Sequence, residues 1–257
     1  MIRCRKHDYV INGGTFMDEK KMEILKTWIR EGKRIVFFGG AGVSTESGIP
    51  DFRSADGLYN QKYKYPPETI ISNTFYRRNP EVFFQFYREK MLVPDAKPNI
   101  VHLKLAQWEK EGRLLAVVTQ NIDGLHQAAG SKRVYELHGS VHRNYCQKCK
   151  RMFTLSEFMA LDTVPVCPDC GGRIKPDVVL YEEGLDPEVT YGAVQAIRAA
   201  DVLIVAGTSL SVYPAAAYLD EYSGNRLVLI NKTATPRDHI ADLVFHEKLG
   251  EVFSQLS

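Results

Sequence analysis

Four of the chain's cysteines arrive in two pairs, Cys146-x-x-Cys149 and Cys167-x-x-Cys170, with 17 residues between the pairs. Four thiolates at this spacing close a tetrahedron around Zn²⁺. A four-cysteine set leaves the metal no open position, so one zinc per chain is expected, in a structural role. The turns Gln147-Lys148 and Pro168-Asp169, with Gly171-Gly172 behind them, suit the knuckles of a zinc ribbon. Disulfides are the competing use of paired cysteines, and the redox compartment decides between the two. Arg3, Arg5 and Lys6 have no apolar stretch behind them, so the N-terminus does not read as a signal peptide. A reducing, cytoplasmic setting is therefore expected, and with it metal rather than disulfides. Cys4 stands alone in an extension over 1–17.

A different chemistry is suggested around residues 39–54. The apolar run Ile35-Val36-Phe37-Phe38 ends in Gly39-Gly40-Ala41-Gly42-Val43-Ser44 and then turns polar at Thr45. A buried strand that delivers a glycine-rich turn brings backbone N–H groups against a phosphate. Gly40 and Gly42 match the first two glycines of a dinucleotide fingerprint, but Thr45 holds the third place. A strand-ending turn that merely needs positive φ is the alternative. Beyond it, Phe52 offers a ring and Arg53 a guanidinium suited to phosphate. A second apolar run, 114–118, leads into Thr119-Gln120-Asn121-Ile122-Asp123-Gly124-Leu125-His126. Asp123 is either a ligand-binding carboxylate or a turn former before Gly124. His138, followed by Gly139, has an imidazole able to accept a proton at neutral pH.

The elements that must position these residues follow from periodicity. Helices are expected over 18–30, 81–91, 99–111, 188–199 and 214–222, and a further one at the C-terminus. Buried strands are expected over 34–38, 114–118, 202–206 and 227–230, with shorter ones over 178–181 and 243–246. Residues 56–79 show no period. Apolar strands alternating with helices indicate an α/β fold built on a doubly wound parallel sheet. Four of these strands carry polar residues just past their carboxyl ends: Gly40 to Ser44, Thr119 to Asp123, Gly207-Thr208-Ser209, and Asn231-Lys232. Open α/β sheets bind ligands at that edge, and four converging clusters point to a nucleotide. With 33 basic and 31 acidic residues in 257, neither charge dominates, so no nucleic-acid surface is expected. The longest apolar runs fall far short of the roughly 20 residues a membrane span needs.

These motifs, in this order and with His138-Gly139-Ser140 and the four cysteines, resemble the sirtuins of bacterial type, the Sir2-type NAD-dependent protein deacylases. The resemblance runs from about Met22 to the C-terminus. It implies a Rossmann-like domain over 18–54, 112–140 and 174–257, with a zinc-ribbon module over 141–173 inserted. Residues 55–111 would form an irregular loop and the helices of the small domain. It implies NAD as co-substrate, held by Gly40, Ala41, Gly42, Thr45, Phe52, Arg53, Gln120, Asn121, Ile122, Asp123, His138, Gly207, Thr208, Ser209, Asn231, Lys232 and Lys248. Asp123 would receive the nicotinamide carboxamide. The acyl-lysine carbonyl oxygen would attack the ribose carbon as nicotinamide leaves. His138 would then activate a ribose hydroxyl, with Asn121 orienting ribose and water. The products would be deacylated lysine, nicotinamide and O-acetyl-ADP-ribose.

The same resemblance implies an acetylated-lysine peptide as partner, added as a strand between Val178-Val179-Leu180-Tyr181 and Leu210-Ser211-Val212-Tyr213. The chain departs from many sirtuins in reading Tyr181-Glu182-Glu183 where they have Phe-Gly-Glu. The Tyr-x-x-Arg pair of desuccinylating relatives is absent from residues 55–62, which favours acetyl or longer uncharged acyl groups. ADP-ribosyl transfer to protein is the alternative enzyme activity. A non-catalytic NAD-sensing module is weaker, since His138, Asn121 and Asp123 are all in place. A dehydrogenase is weakest, for want of the third glycine and of an acidic residue ending a second strand.

Overall fold

Strand β1 (Ile35–Gly39) is buried throughout, and its side chains alternate between two packing layers. In the computed structural model, which describes residues 18–52, 57 and 63–256, Ile35 and Phe37 face one layer and Val36 and Phe38 the other. A strand covered on both faces reads as a continuous apolar run, which is why these strands were legible. Ahead of it, α1 (Glu19–Glu31) opens on the Asp18 side chain, which accepts from the Lys20 and Lys21 amides, and closes at Gly32.

After β1 come α2 (Pro67–Ile70), α3 (Asn73–Arg78) and α4 (Pro80–Phe86), the last running into a π-helical turn, Tyr87–Met91. Helix α5 (Ile100–Lys110) then leads to β2 (Leu114–Thr119), α6 (Leu125–Ala129), β3 (Val134–Glu136) and β4 (Gly139–Cys146). The cysteine module adds β5 (Met152–Thr154), α7 (Leu155–Met159) and β6 (Ile174–Val178). The chain finishes with α8 (Pro187–Ala199), β7 (Val202–Ala206), a 3-10 segment Ala215–Glu221, β8 (Leu227–Ile230), β9 (Leu243–Phe245) and α9 (Leu249–Phe253).

Six parallel strands form the main sheet in the order β3-β2-β1-β7-β8-β9. One face is covered by α1, α5 and α9 through Leu25, Ile29, Leu105, Trp108 and Phe253; the other by α8 and the 215–221 segment through Ala193, Ile197 and Leu219. This is the doubly wound, Rossmann-like α/β fold expected. The chain winds outward from β1 in one direction and from β7 in the other, so the β1–β7 junction is where the crevice opens.

A second sheet, antiparallel in the order β5-β4-β6, carries the four cysteines. With α2 to α4 it encloses a separate aromatic core that includes Phe83, Phe84, Tyr87, Phe153 and Phe158. Arg88 ties helices to module: its guanidinium donates to the carbonyls of Phe158, Leu161 and Asp162 and stacks on the Phe158 ring.

Several expectations need correction. The helix expected over 214–222 is a 3-10 segment, Ala215–Glu221, flanked by Pro214 and Tyr222. Residues 178–181 are not one strand: β6 ends at Val178, and Tyr181 instead bridges Ser72. Residues 56–79 are not simply irregular, since α2 and α3 lie within them. Helix α5, expected within the small domain, packs in the sheet's own core through Val101, Leu105 and Trp108. Residues 1–17, including Cys4, lie outside the described residues, as do Arg53, Ala55, Asp56 and 58–62.

Candidate active site

Strand register builds the site. Gly39 lies level with Thr119 on one side and Ala206 on the other, and Ala206 level with Ile230. The residues that follow therefore stand in a row, knitted by Gln120 N–H to Gly39, Gly40 N–H to Ala206 and Gly207 N–H to Ile230. This is how four clusters remote in sequence reach one edge.

The glycines of the first turn are there for close approach rather than for positive φ. Gly42 N–H donates to the Gly207 carbonyl at 2.8 Å. A Cβ on Gly42 would lie 2.7 Å from Gly207 Cα, and one on Gly40 would lie 2.8 Å from both Gly207 O and Thr208 Cβ. Two strand-end turns thus press backbone to backbone at the β1–β7 junction. Above them the backbone N–H groups of Ala41 and Thr45 have no partner among the described residues. They open on a cavity of 1230 Å³.

Every proposed nucleotide-site residue within the described part of the chain lines that cavity: Gly40, Ala41, Gly42, Thr45, Phe52, Gln120, Asn121, Ile122, Asp123, His138, Gly207, Thr208, Ser209, Asn231, Lys232 and Lys248. Phe52 and Ile122 also pack against the aromatic core of the small unit, so they bridge the two halves. Val178, Val179, Leu180, Tyr181 and Val212 line it too; Ser211 does not, although its hydroxyl lies 2.7 Å from that of Ser209.

A hydrogen-bonded chain runs beneath. Asn121 Nδ2 donates to Ser44 Oγ at 3.0 Å, and Ser44 Oγ donates to Asp123 Oδ2 at 2.6 Å. Leu125 N–H caps Asp123 Oδ1 at 2.9 Å. Ser44 is buried, and it couples two residues singled out from sequence while not having been singled out itself. Its only mark in the sequence is its place at the end of the glycine turn.

His138 sits past β3, whose pairing with β2 brings Leu137 N–H onto the Thr119 carbonyl. Its Nδ1 lies 3.0 Å from the Gln120 carbonyl oxygen. A carbonyl only accepts, so Nδ1 carries the proton and the neutral ring leaves Nε2 as a lone-pair acceptor. Burial pushes this imidazole below its ordinary value, and the bond to Gln120 only partly opposes that. At neutral pH the group is therefore a base ready to receive a proton.

Both edges of the cleft beside His138 offer main-chain groups. The Val179 carbonyl and the Glu182 N–H and carbonyl bond to nothing among the described residues, and neither do the N–H and carbonyl of Ser211. Tyr181, by contrast, is committed: its N–H goes to Ile71 and its carbonyl receives Asn73 N–H. The edge available to a peptide is thus Val179 and Glu182, with Tyr181 turned away.

The four cysteine sulfurs all lie within 4.8 Å of one another. Cys146 and Cys170 are 3.4 Å apart and Cys149 and Cys167 3.8 Å, against about 3.8 Å for the edge of a tetrahedron with Zn–S bonds of about 2.3 Å. The Cys149 and Lys148 backbone N–H groups point at Cys146 Sγ and lower that thiol to about 6, favouring the thiolate a metal needs. A Cβ on Gly172 would lie 2.7 Å from Cys146 Sγ. The set fits a structural zinc.

Residues 40–214 match the model of the Sir2 family. The chain belongs to the Sir2 family. An NAD-dependent protein deacetylase of Clostridium acetobutylicum is 57% identical over 235 residues, covering 90% of this chain and 96% of that protein. A solved Sir2 structure with a deacetylated p53 peptide and 3'-O-acetyl ADP ribose superposes with a TM-score of 0.83 at 38% identity, covering 91% of this chain and 96% of that one. Another, of Sir2 with a p53 peptide and NAD⁺, gives 0.81 at 37%, with the same coverage. In this Sir2 chain the motif residues converge on one cavity, and the departure at Glu182 falls on its rim.

Proposed function

We propose that this chain is an NAD-dependent protein-lysine deacetylase, yielding deacylated lysine, nicotinamide and O-acetyl-ADP-ribose. The observation that carries the reading is His138, held by the Gln120 carbonyl with its proton on Nδ1 and its Nε2 free at the cavity. Bound NAD supplies a ribose carbon from which nicotinamide can depart. Everything else falls to the chain's own residues.

Gly40, Ala41, Gly42, Thr45 and Arg53 take the phosphates, with Gln120, Ser209, Asn231, Lys232 and Lys248 on the sugars and the far end of the nucleotide. Asp123 accepts from the carboxamide; each of its oxygens already receives one bond and keeps a lone pair for another. Asn121 orients ribose and water, Phe52 shields the reacting face, and His138 takes the hydroxyl proton at Nε2. An acetyl-lysine peptide adds as a strand between the Val179–Glu182 edge and Ser211-Val212. Cys146, Cys149, Cys167 and Cys170 hold one structural zinc.

The nucleotide unit is assigned to 18–54, 112–140 and 174–257, with α5 joined to it, and the zinc module to 141–173. No helix among the described residues is long and apolar enough to cross a membrane. Four unpaired thiols in one cluster support a reducing, cytoplasmic setting. The test is nicotinamide release from NAD with a panel of acyl-lysine peptides. Release that requires an acylated peptide is expected, with acetyl and longer uncharged chains accepted and succinyl refused. Release indifferent to the peptide contradicts the reading.

A further inference from the structure

We infer that Glu182 sets a charge preference in this cleft, favouring substrates with basic residues close to the acetyl-lysine. The inference rests on the deacetylase reading and deepens it. Glu182 adopts φ of 76°, a left-handed conformation that glycine takes freely and other residues rarely do. Its exposed side chain is nevertheless kept at the lip of the cavity, on the residue whose backbone N–H and carbonyl are free for a peptide strand. Its Oε2 accepts from Thr74 N–H at 2.8 Å, at the start of α3, and this fixes where the carboxylate stands.

The neighbouring charges do not cancel it. Glu183 forms an ion pair with Lys175 at 3.0 Å and also receives the Asn73 side chain and the Leu180 N–H, so its charge is spent inside the loop. Arg237, which interacts with the cavity-lining Tyr213, is paired with Asp220. The Thr74 hydrogen bonds hold the Glu182 carboxyl below its ordinary value and the Arg78 charge adds to this, but among the described residues Arg78 forms no ion pair with it. A strand laid along this edge therefore passes a fixed negative charge that forms no ion pair among the described residues. Arg or Lys near the acetyl-lysine is drawn in, and Asp or Glu is repelled.

The test uses three acetyl-lysine peptides that differ only in carrying Arg, Ala or Glu on both sides of the acetyl-lysine, with NAD, against the wild type and E182Q. Glutamine keeps an oxygen for the Thr74 N–H while removing the charge, so the cap and the charge are separated. The wild type is expected to favour the Arg peptide over the Glu peptide by roughly tenfold in kcat/KM at low salt, through KM, and by less at high salt. E182Q is expected to bring that ratio near one. A wild type without the preference, or an E182Q enzyme that retains it, overturns the inference and leaves the deacetylase reading intact. Nicotinamide release from none of the three peptides overturns both.

Discussion

At the level of single residues the account turns on protonation and on one hydroxyl. Burial holds His138 below the ordinary imidazole value of 6.5, so the base form persists as pH falls to that point. The pH profile of kcat for deacetylation should therefore show its acidic limb below about 6.5. A limb above 7 would mean that the imidazole is stabilised as a cation instead. Ser44 accepts from Asn121 and donates to Asp123, so Ser44→Ala unties both at once. Losing such a buried link costs about 1–3 kcal/mol, or roughly ten- to a hundredfold in kcat/KM, with the melting temperature changed far less than activity. Kinetics at saturating peptide with NAD varied measure this, and an unchanged kcat/KM for NAD would remove Ser44 from the machinery.

At the level of elements, β4 joins the two halves of the chemistry. It starts at Gly139, beside His138, and ends on the zinc ligand Cys146. Stripping the metal should loosen that strand from its far end. We expect one zinc per chain by elemental analysis, and loss of deacetylase activity on treatment with a strong chelator, recovered on adding zinc back. Full activity in metal-free protein would contradict the structural role. The same strand shows where sequence reading ran out. Gly139-Ser140-Val141-His142-Arg143-Asn144-Tyr145-Cys146 has no apolar run, because an antiparallel strand with one wet face needs none. β3 escaped for a related reason: three half-buried residues at a sheet edge carry too little pattern, although they place His138. The fully buried strands β1, β2, β7 and β8 were legible because both their faces are covered. The part of the cavity's lining that follows those strands directly was legible too, whereas Lys90, Met91 and Pro94, which also line it, lie in or just past the π-helical turn and were not. Also not legible was contact across the chain, such as the bonds of Ser44 to Asn121 and Asp123.

Over the whole molecule, two histidines couple stability to pH. His102 and His126 are buried with ring centroids 4.7 Å apart, and His102 Nδ1 accepts the Asn99 N–H. Burial pushes His102 down to about 4, the Asp123 charge opposing it, and pushes His126 to about 3, with the His102 charge adding to it. Both are proton acceptors with folded values below the unfolded one. Above about 6.5 neither affects stability, and below it the unfolded chain takes up protons that the folded chain refuses. Melting temperature should be flat from pH 8 to 7 and fall steadily from about 6.5 toward 4, at up to about 1.4 kcal/mol per pH unit per histidine. A melting temperature that rises over that interval would refute the assignment. The central claim is that both walls of the cavity act on one reaction, the nucleotide on one side and the acetyl-lysine on the other. The measurement that reaches it most directly is product stoichiometry by mass spectrometry, from NAD and an acetyl-lysine peptide. Equal amounts of nicotinamide, free-lysine peptide and O-acetyl-ADP-ribose are predicted, whereas free acetate released with NAD left intact would contradict it.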